Sequence, residues 1–576
     1  KAATCAWLFA LLKGQVCAEG VHADPCKTRK SGYCHFFEML RASAEAGALL
    51  RRLAVRIVRF FSLYFGKYDA GKLCYNNTVA KITRRRKDVS PLLFLLYFFN
   101  VMAAISILFF RKKQVGSTLA WLLVFAFVPW LGFLLYFFLG STRKLQLFRR
   151  WFRPNPRLAE YGPSPGENAR ALLSGQFNLS SQGREGCRDL MLLNLQGAGA
   201  VYTQGNSARL LVDAEKKYES LFRDIEEAQE TIHVLYFIFK TQDECGRKLL
   251  DLLVRKARQG VKVRVIYDTL GCLKTHRVDF DPLIQAGGMV YGYLPSPLRT
   301  VLQVNYRMHR KMVIIDGKVA YTGGINIGDD YLGKDKRITP WRDTSVRLTG
   351  PCVQQVQRQF IRDWVFLDSQ AARPYVEKID SSQSLEQCMK EENTGQVGVQ
   401  IVSSGPDSLY PYTKESYLGM ITRARRYLYI QTPYFIPDDT LLTALRCASR
   451  AGVDVRLMIP GVPDKAYAYH VTMWHAGELL RWGIPVYRYP GFLHAKTFVM
   501  DDMVASIGST NLDIRSFDLD YELNALVYDR DFALECRKVF LQDQEKSRRL
   551  TREEYQSRPL PDKVKAGLLR LVAPLL

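Results

Sequence analysis

Apolar positions change rhythm along the chain. From Pro91 to Phe110 (PLLFLLYFFNVMAAISILFF) 20 residues run without a charge, and from Ser117 to Gly140 (STLAWLLVFAFVPWLGFLLYFFLG) 24 more do the same. A bilayer core takes about 20 apolar residues as a helix, so each run can span, and the six residues between them fit a tight helical hairpin. From about Leu210 the pattern shortens. Apolar β-branched runs (Thr231–Phe239, Val261–Tyr267) alternate with stretches of helical period such as Gly246–Gln259. That alternation predicts an α/β fold with a mostly parallel sheet covered by helices.

The α/β pattern occurs twice. Ile225–Phe239 matches Ile421–Phe435, a helix end followed by a strand with aromatic residues at its close, and Gly260–Tyr267 (GVKVRVIY) matches Gly452–Ile459 (GVDVRLMI). Offsets of 196 and 192 residues are too long for a solenoid and suit two tandem α/β domains in a pseudo-twofold arrangement. The expected organisation is an unassigned N-terminal extension (1–90), the transmembrane hairpin (91–140), a membrane-proximal linker (141–209) and two α/β domains (210–395 and 396–576). Residues 1–90 carry only a weak resemblance to a secretory signal, and Lys at position 1 reads as a fragment or an upstream-extended translation.

Charge decides the surroundings. The chain holds 81 Lys and Arg against 56 Asp and Glu, net +25, of which residues 1–160 carry +19 (26 against 7). The basic excess therefore flanks the apolar runs, with Arg84, Arg85, Arg86 and Lys87 before them and Arg143, Lys144, Arg149 and Arg150 after. This favours an anionic membrane over nucleic acid as partner, and the positive-inside rule puts both ends of the hairpin in the cytoplasm. The 12 cysteines form no C-x-x-C pair, which predicts reduced thiols and no structural metal site.

Each copy carries one spaced triplet. His309-Arg-Lys311-Met-Val-Ile-Ile-Asp316 and His494-Ala-Lys496-Thr-Phe-Val-Met-Asp501 are both H-x-K-x-x-x-x-D, and 17 residues after each His stands an Asn, Asn326 in G-G-I-N and Asn511 in G-S-T-N. In an extended strand His and Lys two apart share a face. Two halves paired about a twofold axis can then set two imidazoles across one phosphate, one attacking phosphorus and the other protonating the leaving oxygen. Two Lys and two Asn can stabilise the equatorial oxygens. Asp316 and Asp501 complete the triplets, and at a strand end each is more suited to fixing its turn than to touching phosphate.

The duplicated triplet with its trailing Asn resembles the phospholipase D superfamily. The hairpin, N-Y-R-M-H-R-K (Asn305–Lys311), P-W-R-D (Pro340–Asp343), Q-T-P-Y-F-I-P (Gln431–Pro437) and G-F-L-H-A-K-T (Gly491–Thr497) resemble more narrowly the bacterial cardiolipin synthases, over roughly residues 91–576. The resemblance implies tandem phospholipase-D-like domains and a phosphatidyl-histidine intermediate. It implies no nucleotide or metal cofactor, and catalytic domains on the cytoplasmic side of the bacterial inner membrane. It implies phosphatidylglycerol as donor, a second phospholipid (phosphatidylglycerol or phosphatidylethanolamine) as acceptor, and cardiolipin with glycerol as products. We assign His309 as nucleophile and His494 as acid/base; the symmetry of the motifs leaves the reverse open. Lys311, Lys496, Asn326 and Asn511 bind the phosphoryl oxygens. An acidic residue is expected to orient each imidazole, Glu522 in the second half and Asp343 in the first.

Rival readings are a phospholipase-D-type hydrolase, a nuclease and a non-catalytic scaffold. A nuclease keeps its positive charge around the site, whereas residues 161–576 carry only +6, and the intact triplets argue against a scaffold. His233 in an apolar strand reads as a core histidine, and His470 and His475, five apart, have a poor metal spacing. Tyr434 and Phe435 fit either the core or a lipid channel. The terminal Val564–Leu576 segment (VKAGLLRLVAPLL) fits either a membrane-surface helix or an ordinary helix packed on the body.

Overall fold

Met312–Ile315 and Thr497–Met500 are two short, fully buried strands, and each turns back sharply on a partner, Val319–Gly323 and Val504–Gly508. The turns need left-handed backbone, which Asp tolerates better than most residues: Asp316, Asp501 and Asp502 have φ of 51°, 55° and 56°. The structure, a computed structural model, describes residues 165–177, 179, 185–293, 305–367 and 394–572, with short pieces between 99 and 136.

The two hairpins belong to one 15-stranded sheet. At its centre Thr203–Val212 pairs antiparallel with Val397–Ser404 through Thr203↔Val399 and Asn206↔Val397. Outward from this seam the first half runs Thr344–Thr349, Val319–Gly323, Met312–Ile315, Thr231–Tyr236, Lys262–Asp268, Met289–Tyr293. The second half repeats the order with Glu522–Tyr528, Val504–Gly508, Thr497–Met500, Tyr427–Gln431, Asp454–Pro460, Val486–Tyr489, and adds the edge strand Arg548–Arg549. The tandem α/β repeat read from the sequence is thus two halves of one sheet.

The mostly parallel sheet expected from the sequence does not form. Within the 15-stranded sheet only Thr231–Tyr236, Lys262–Asp268 and Met289–Tyr293 of the first half and Tyr427–Gln431, Asp454–Pro460 and Val486–Tyr489 of the second are parallel, where helices such as Glu244–Arg258 and Asp439–Arg450 make the crossovers; the edge strand Arg548–Arg549 is antiparallel. The inner strands are antiparallel; two of these pairs are hairpins whose tight turns, at Asp316-Gly317 and Asp501-Asp502, leave no room for a crossover helix.

Helices cover both faces. One core face is continuous across the seam: Leu235, Ile314, Phe360 and Trp364 of the first half pack in the same cluster as Tyr429, Val499, Leu523 and Phe540 of the second. Each such side chain fully buried stabilises by about 1.5–3 kcal/mol, so this shared layer fixes the halves together. The opposite face is split into one cluster per half. Buried arginines add cross-seam bonds. Arg342 Nε donates to Asp543 (2.8 Å), and Arg310 donates to Ser403 Oγ (2.7 Å) and the Glu522 carbonyl (3.2 Å). His233 is a core residue as expected, stacked on Phe360 at 4.7 Å and bonded to Gln357. Cys187, Cys245, Cys272, Cys352 and Cys536 are buried free thiols and Cys447 an exposed one.

Most of the two apolar runs, and all of residues 1–90, lie outside the described residues. Val115–Phe127 is helical, with Trp121 and Phe125 against Tyr136. Among the described residues no helix is long and apolar enough to cross a membrane.

Candidate active site

The ladder of each triplet strand starts one residue after its lysine, at Met312 and Thr497, so His309–Lys311 and His494–Lys496 form extended lead-ins rather than strand residues. Their carbonyls are free of the ladder and take side-chain bonds: Lys311 Nζ donates to His309 O (2.6 Å) and Lys496 Nζ to His494 O (2.5 Å).

What holds each lead-in is the other half. Arg307 bridges in parallel with Asp520, and Tyr521 N donates to Arg307 O (2.8 Å). Phe492 pairs in parallel with Trp341, and His494 N donates to Arg342 O (2.7 Å). Both pairings sit two residues before the histidine and two before a carboxylate. A parallel pairing carries side chains two residues on to the same face of both chains. His309 thus meets Glu522 (Nδ1···Oε1 2.8 Å) and His494 meets Asp343 (Nδ1···Oδ2 2.7 Å). This corrects the sequence expectation, which gave each histidine the carboxylate of its own half. The exchange follows from the crosswise bridges, which no spacing along one chain encodes.

Both carboxylates are themselves braced. Asp343 Oδ1 accepts from Thr344 N (2.7 Å), and a Cβ on Gly324 would meet that oxygen at 2.1 Å, so the position has room only for glycine. The equivalent residue of the second half is Ser509, whose hydroxyl donates to Glu522 Oε2.

The electrostatics follow from burial among cations. Burial, then Lys311, Lys496, Lys465 and Arg515, push the His309 pKa well below its usual value. Burial and Lys496 lower His494 to about 4 against the pull of Asp343. Each histidine thus feels the ammonium of the other triplet as well as its own, and the triplets line one site. Lys311 and Lys496 are drawn down to about 7 and about 8, burial being the main cause. Burial raises Glu522 to about 7 against Lys311. Both imidazoles are therefore neutral at pH 7, each held at Nδ1 by a carboxylate, with Nε2 left to react.

The remaining predicted residues divide. Asn326 lies by the site with its amide engaged, accepting from Ile238 N (3.1 Å) and donating to Tyr331 OH (2.7 Å). Asn511 is buried with Oδ1 unpartnered among the described residues. Asp316 and Asp501 sit at the far end of their strands and play no part in the site. Asp316 accepts from the backbone N–H groups of Gln229, Glu230 and Thr231 (each 2.8 Å), and Asp501 from those of Arg425, Arg426 and Tyr427 (2.6, 2.9 and 2.7 Å). They fix the start of the neighbouring strand, so although they complete the catalytic triplets they serve the scaffold, as their place at a strand end implies.

Four neighbours went unread in the sequence. Lys465 and Arg515 act on His309, Trp341 stands 5.4 Å from the His494 ring, and Asp520 is buried beside His309. Two of them had a signal: Trp341 lies in the P-W-R-D run, and Asp520 stands two residues before Glu522 in extended chain and so on the same face. His309, Asp520 and Glu522 offer donor atoms within 4.8 Å of one another, the set among the described residues that could hold a cation, but beneath ammonium and guanidinium groups that oppose one.

The family model for the cardiolipin synthase PLD-like domain matches residues 221–364 and 417–544, and that for the phospholipase D-nuclease N-terminal region matches 98–141. The major cardiolipin synthase ClsA of Bacillus subtilis is 41% identical over 490 residues, 84% of this chain and 99% of the relative. The chain belongs to the bacterial cardiolipin synthase family. Other members include the cardiolipin synthases of Oceanobacillus iheyensis (39%, 84% of this chain and 99% of the relative) and Listeria innocua (40%, with the same coverage). The phosphatidylserine synthase of Haemophilus influenzae Rd KW20 shares the fold at a TM-score of 0.50 and 17% identity, covering 66% of this chain and 97% of that one.

Proposed function

We propose that the protein makes cardiolipin by transferring a phosphatidyl group from one phosphatidylglycerol to another through a histidine adduct. The observation that carries this reading is the pair of crosswise dyads, which present two neutral imidazoles to one site with two lysines. The phosphodiester anion is held by Lys311 and Lys496, with Asn326 and Asn511 beside them. As the anion binds, His494 takes up a proton from solvent at Nε2, its imidazolium supported by Asp343; His309 Nε2 then attacks phosphorus while His494 gives that proton to the departing glycerol oxygen, leaving phosphatidyl-His309 and free glycerol. His494, now neutral, takes the proton of the second lipid's glycerol hydroxyl as that oxygen attacks phosphorus, which releases cardiolipin and restores His309. One phosphodiester is exchanged for another, so no external energy source is needed.

The choice of His309 as nucleophile is supported by its surroundings. After burial, four cations act to keep it unprotonated, whereas His494 feels Asp343 raising its pKa, as suits a group that must carry a proton midway. The apolar runs at 91–110 and 117–140 with their basic flanks support a membrane hairpin with the sheet in the cytoplasm.

Purified full chain given labelled phosphatidylglycerol alone is expected to yield cardiolipin and free glycerol by mass, with or without a chelator. Phosphatidic acid as the sole lipid product would replace the reading with a hydrolase.

A further inference from the structure

The last described helix, Leu560–Val572, has two unlike faces. On the inner one Ala566 is fully buried and Leu569 packs with Tyr434, Ile436, Ala468 and Val471, while the Arg570 guanidinium lies 4.5 Å over Trp474. On the outer one Leu560, Val564, Leu568 and Leu571 are 72%, 52%, 62% and 52% exposed. Steps of four, four and three residues confine them to an arc of about 80°. A terminal helix packed on a body by one face should carry polar residues on the other; this one carries a second apolar stripe. Lys563, whose ammonium also donates to Gln556 O (2.6 Å), and Lys565 flank it on either side, with Asp562 the one acidic residue of the helix.

The stripe leads to the active site. The helix runs antiparallel to Ala466–Arg481, since Tyr555 lies against Gly477, Gly567 near Trp474, and Leu569 against Ala468. Its C-terminal end therefore reaches the start of Ala466–Arg481. There Lys465 sits over the Tyr434 ring (5.5 Å) and acts on His309, and Tyr467 adds another half-exposed ring.

We propose that this face docks the catalytic body onto an anionic bilayer. The four aliphatic side chains enter the acyl boundary, Lys563 and Lys565 meet headgroup phosphates, and the rim of the site is held against the leaflet that supplies its lipids. The inference rests on the lipid-transfer reading and adds where the body touches the membrane. A second copy of the chain on the same face would bring Lys563 and Lys565 against their own kind, which disfavours that occupant.

The test places an environment-sensitive fluorescent amino acid at position 568 of the full chain in phosphatidylglycerol-containing vesicles. The control carries it at Arg258, which precedes strand Lys262–Asp268 at the sheet end away from the histidines. The probe at 568 is expected to shift to the blue and to be quenched by lipids carrying a nitroxide on the acyl chain, and the probe at 258 to do neither. A blue shift without quenching means that another protein segment or a second copy covers the face, and no shift means open solvent; either overturns the proposal. A Leu568→Glu/Leu571→Glu variant should lose at least fivefold in transfer from vesicles and keep its rate on short-chain soluble phosphatidylglycerol. Equal loss on both substrates would assign the stripe to packing. Because quenching needs no turnover, an inactive but quenched protein would sink the transferase reading and leave the docking face standing.

Discussion

Lys311 and Lys496 are 2% and 1% exposed, and their depressed pKa values make them a cost to the empty fold. The sign is definite. Lys496 titrates at about 8 in the folded chain against 10.5 in the unfolded one, so the unfolded chain binds more protons between those values. Stability attributable to this group rises with pH through that window, and the penalty is fully present below it. Lys496→Met should therefore raise stability at pH 7 by on the order of 2 kcal/mol, flatten its rise between about pH 8 and 10.5, and cut transfer by about 10²–10³-fold. Denaturant midpoints across pH, read beside turnover, check it; a destabilised variant would show that the ammonium is satisfied by Glu522 and Asp343 even without substrate. At this scale the sequence was most legible. Two rare histidines in one frame mark the reacting groups, because chemistry fixes their identity and spacing. Lys465 and Arg515 carried no such mark, since a lone cation reads the same on a surface as over a phosphate.

The lead-ins and their strands show what periodicity leaves out. The apolar runs Met-Val-Ile-Ile and Thr-Phe-Val-Met were readable as buried strands, but direction lies in the connections. Asp316-Gly317 marks the end of a strand in the sequence, and as a two-residue turn it also makes the next strand antiparallel. The carboxylate partners were beyond reach for another reason: 213 residues separate His309 from Glu522 and 151 separate Asp343 from His494, and nothing in either segment names its bridge. Asp316 tests the division between chemistry and scaffold within the triplet. Asp316→Ala leaves three backbone N–H groups to water and puts a β-carbon without a polar tip at φ 51°, so stability should fall by about 1–3 kcal/mol. Turnover per folded molecule should stay within about twofold. A loss of kcat at unchanged stability would return this residue to the reaction.

Across the whole molecule the seam joins what the repeat divides. Each half contributes one imidazole and the carboxylate that orients the other half's imidazole, and both pairs form within one chain. His309→Ala chains mixed with His494→Ala chains should accordingly recover no transfer, at any ratio and after refolding together. Recovery to about a quarter or more of the native rate would mean that halves exchange between chains. The tandem architecture was legible from the offsets near 190 residues. The single sheet was not, because the pairing of Thr203–Val212 with Val397–Ser404 involves no motif and few residues.

The crosswise bridges at Arg307–Asp520 and Phe492–Trp341 also bear on how such a chain arose. A forebear with a single copy of the unit could complete an oriented imidazole only by meeting its own twin, so its activity would have risen and fallen with abundance. Joining the copies head to tail replaced that encounter with a fixed local concentration, freeing each copy to drift toward its own task. The Asp/Gly brace on one side and the Glu/Ser brace on the other are the visible trace of that divergence.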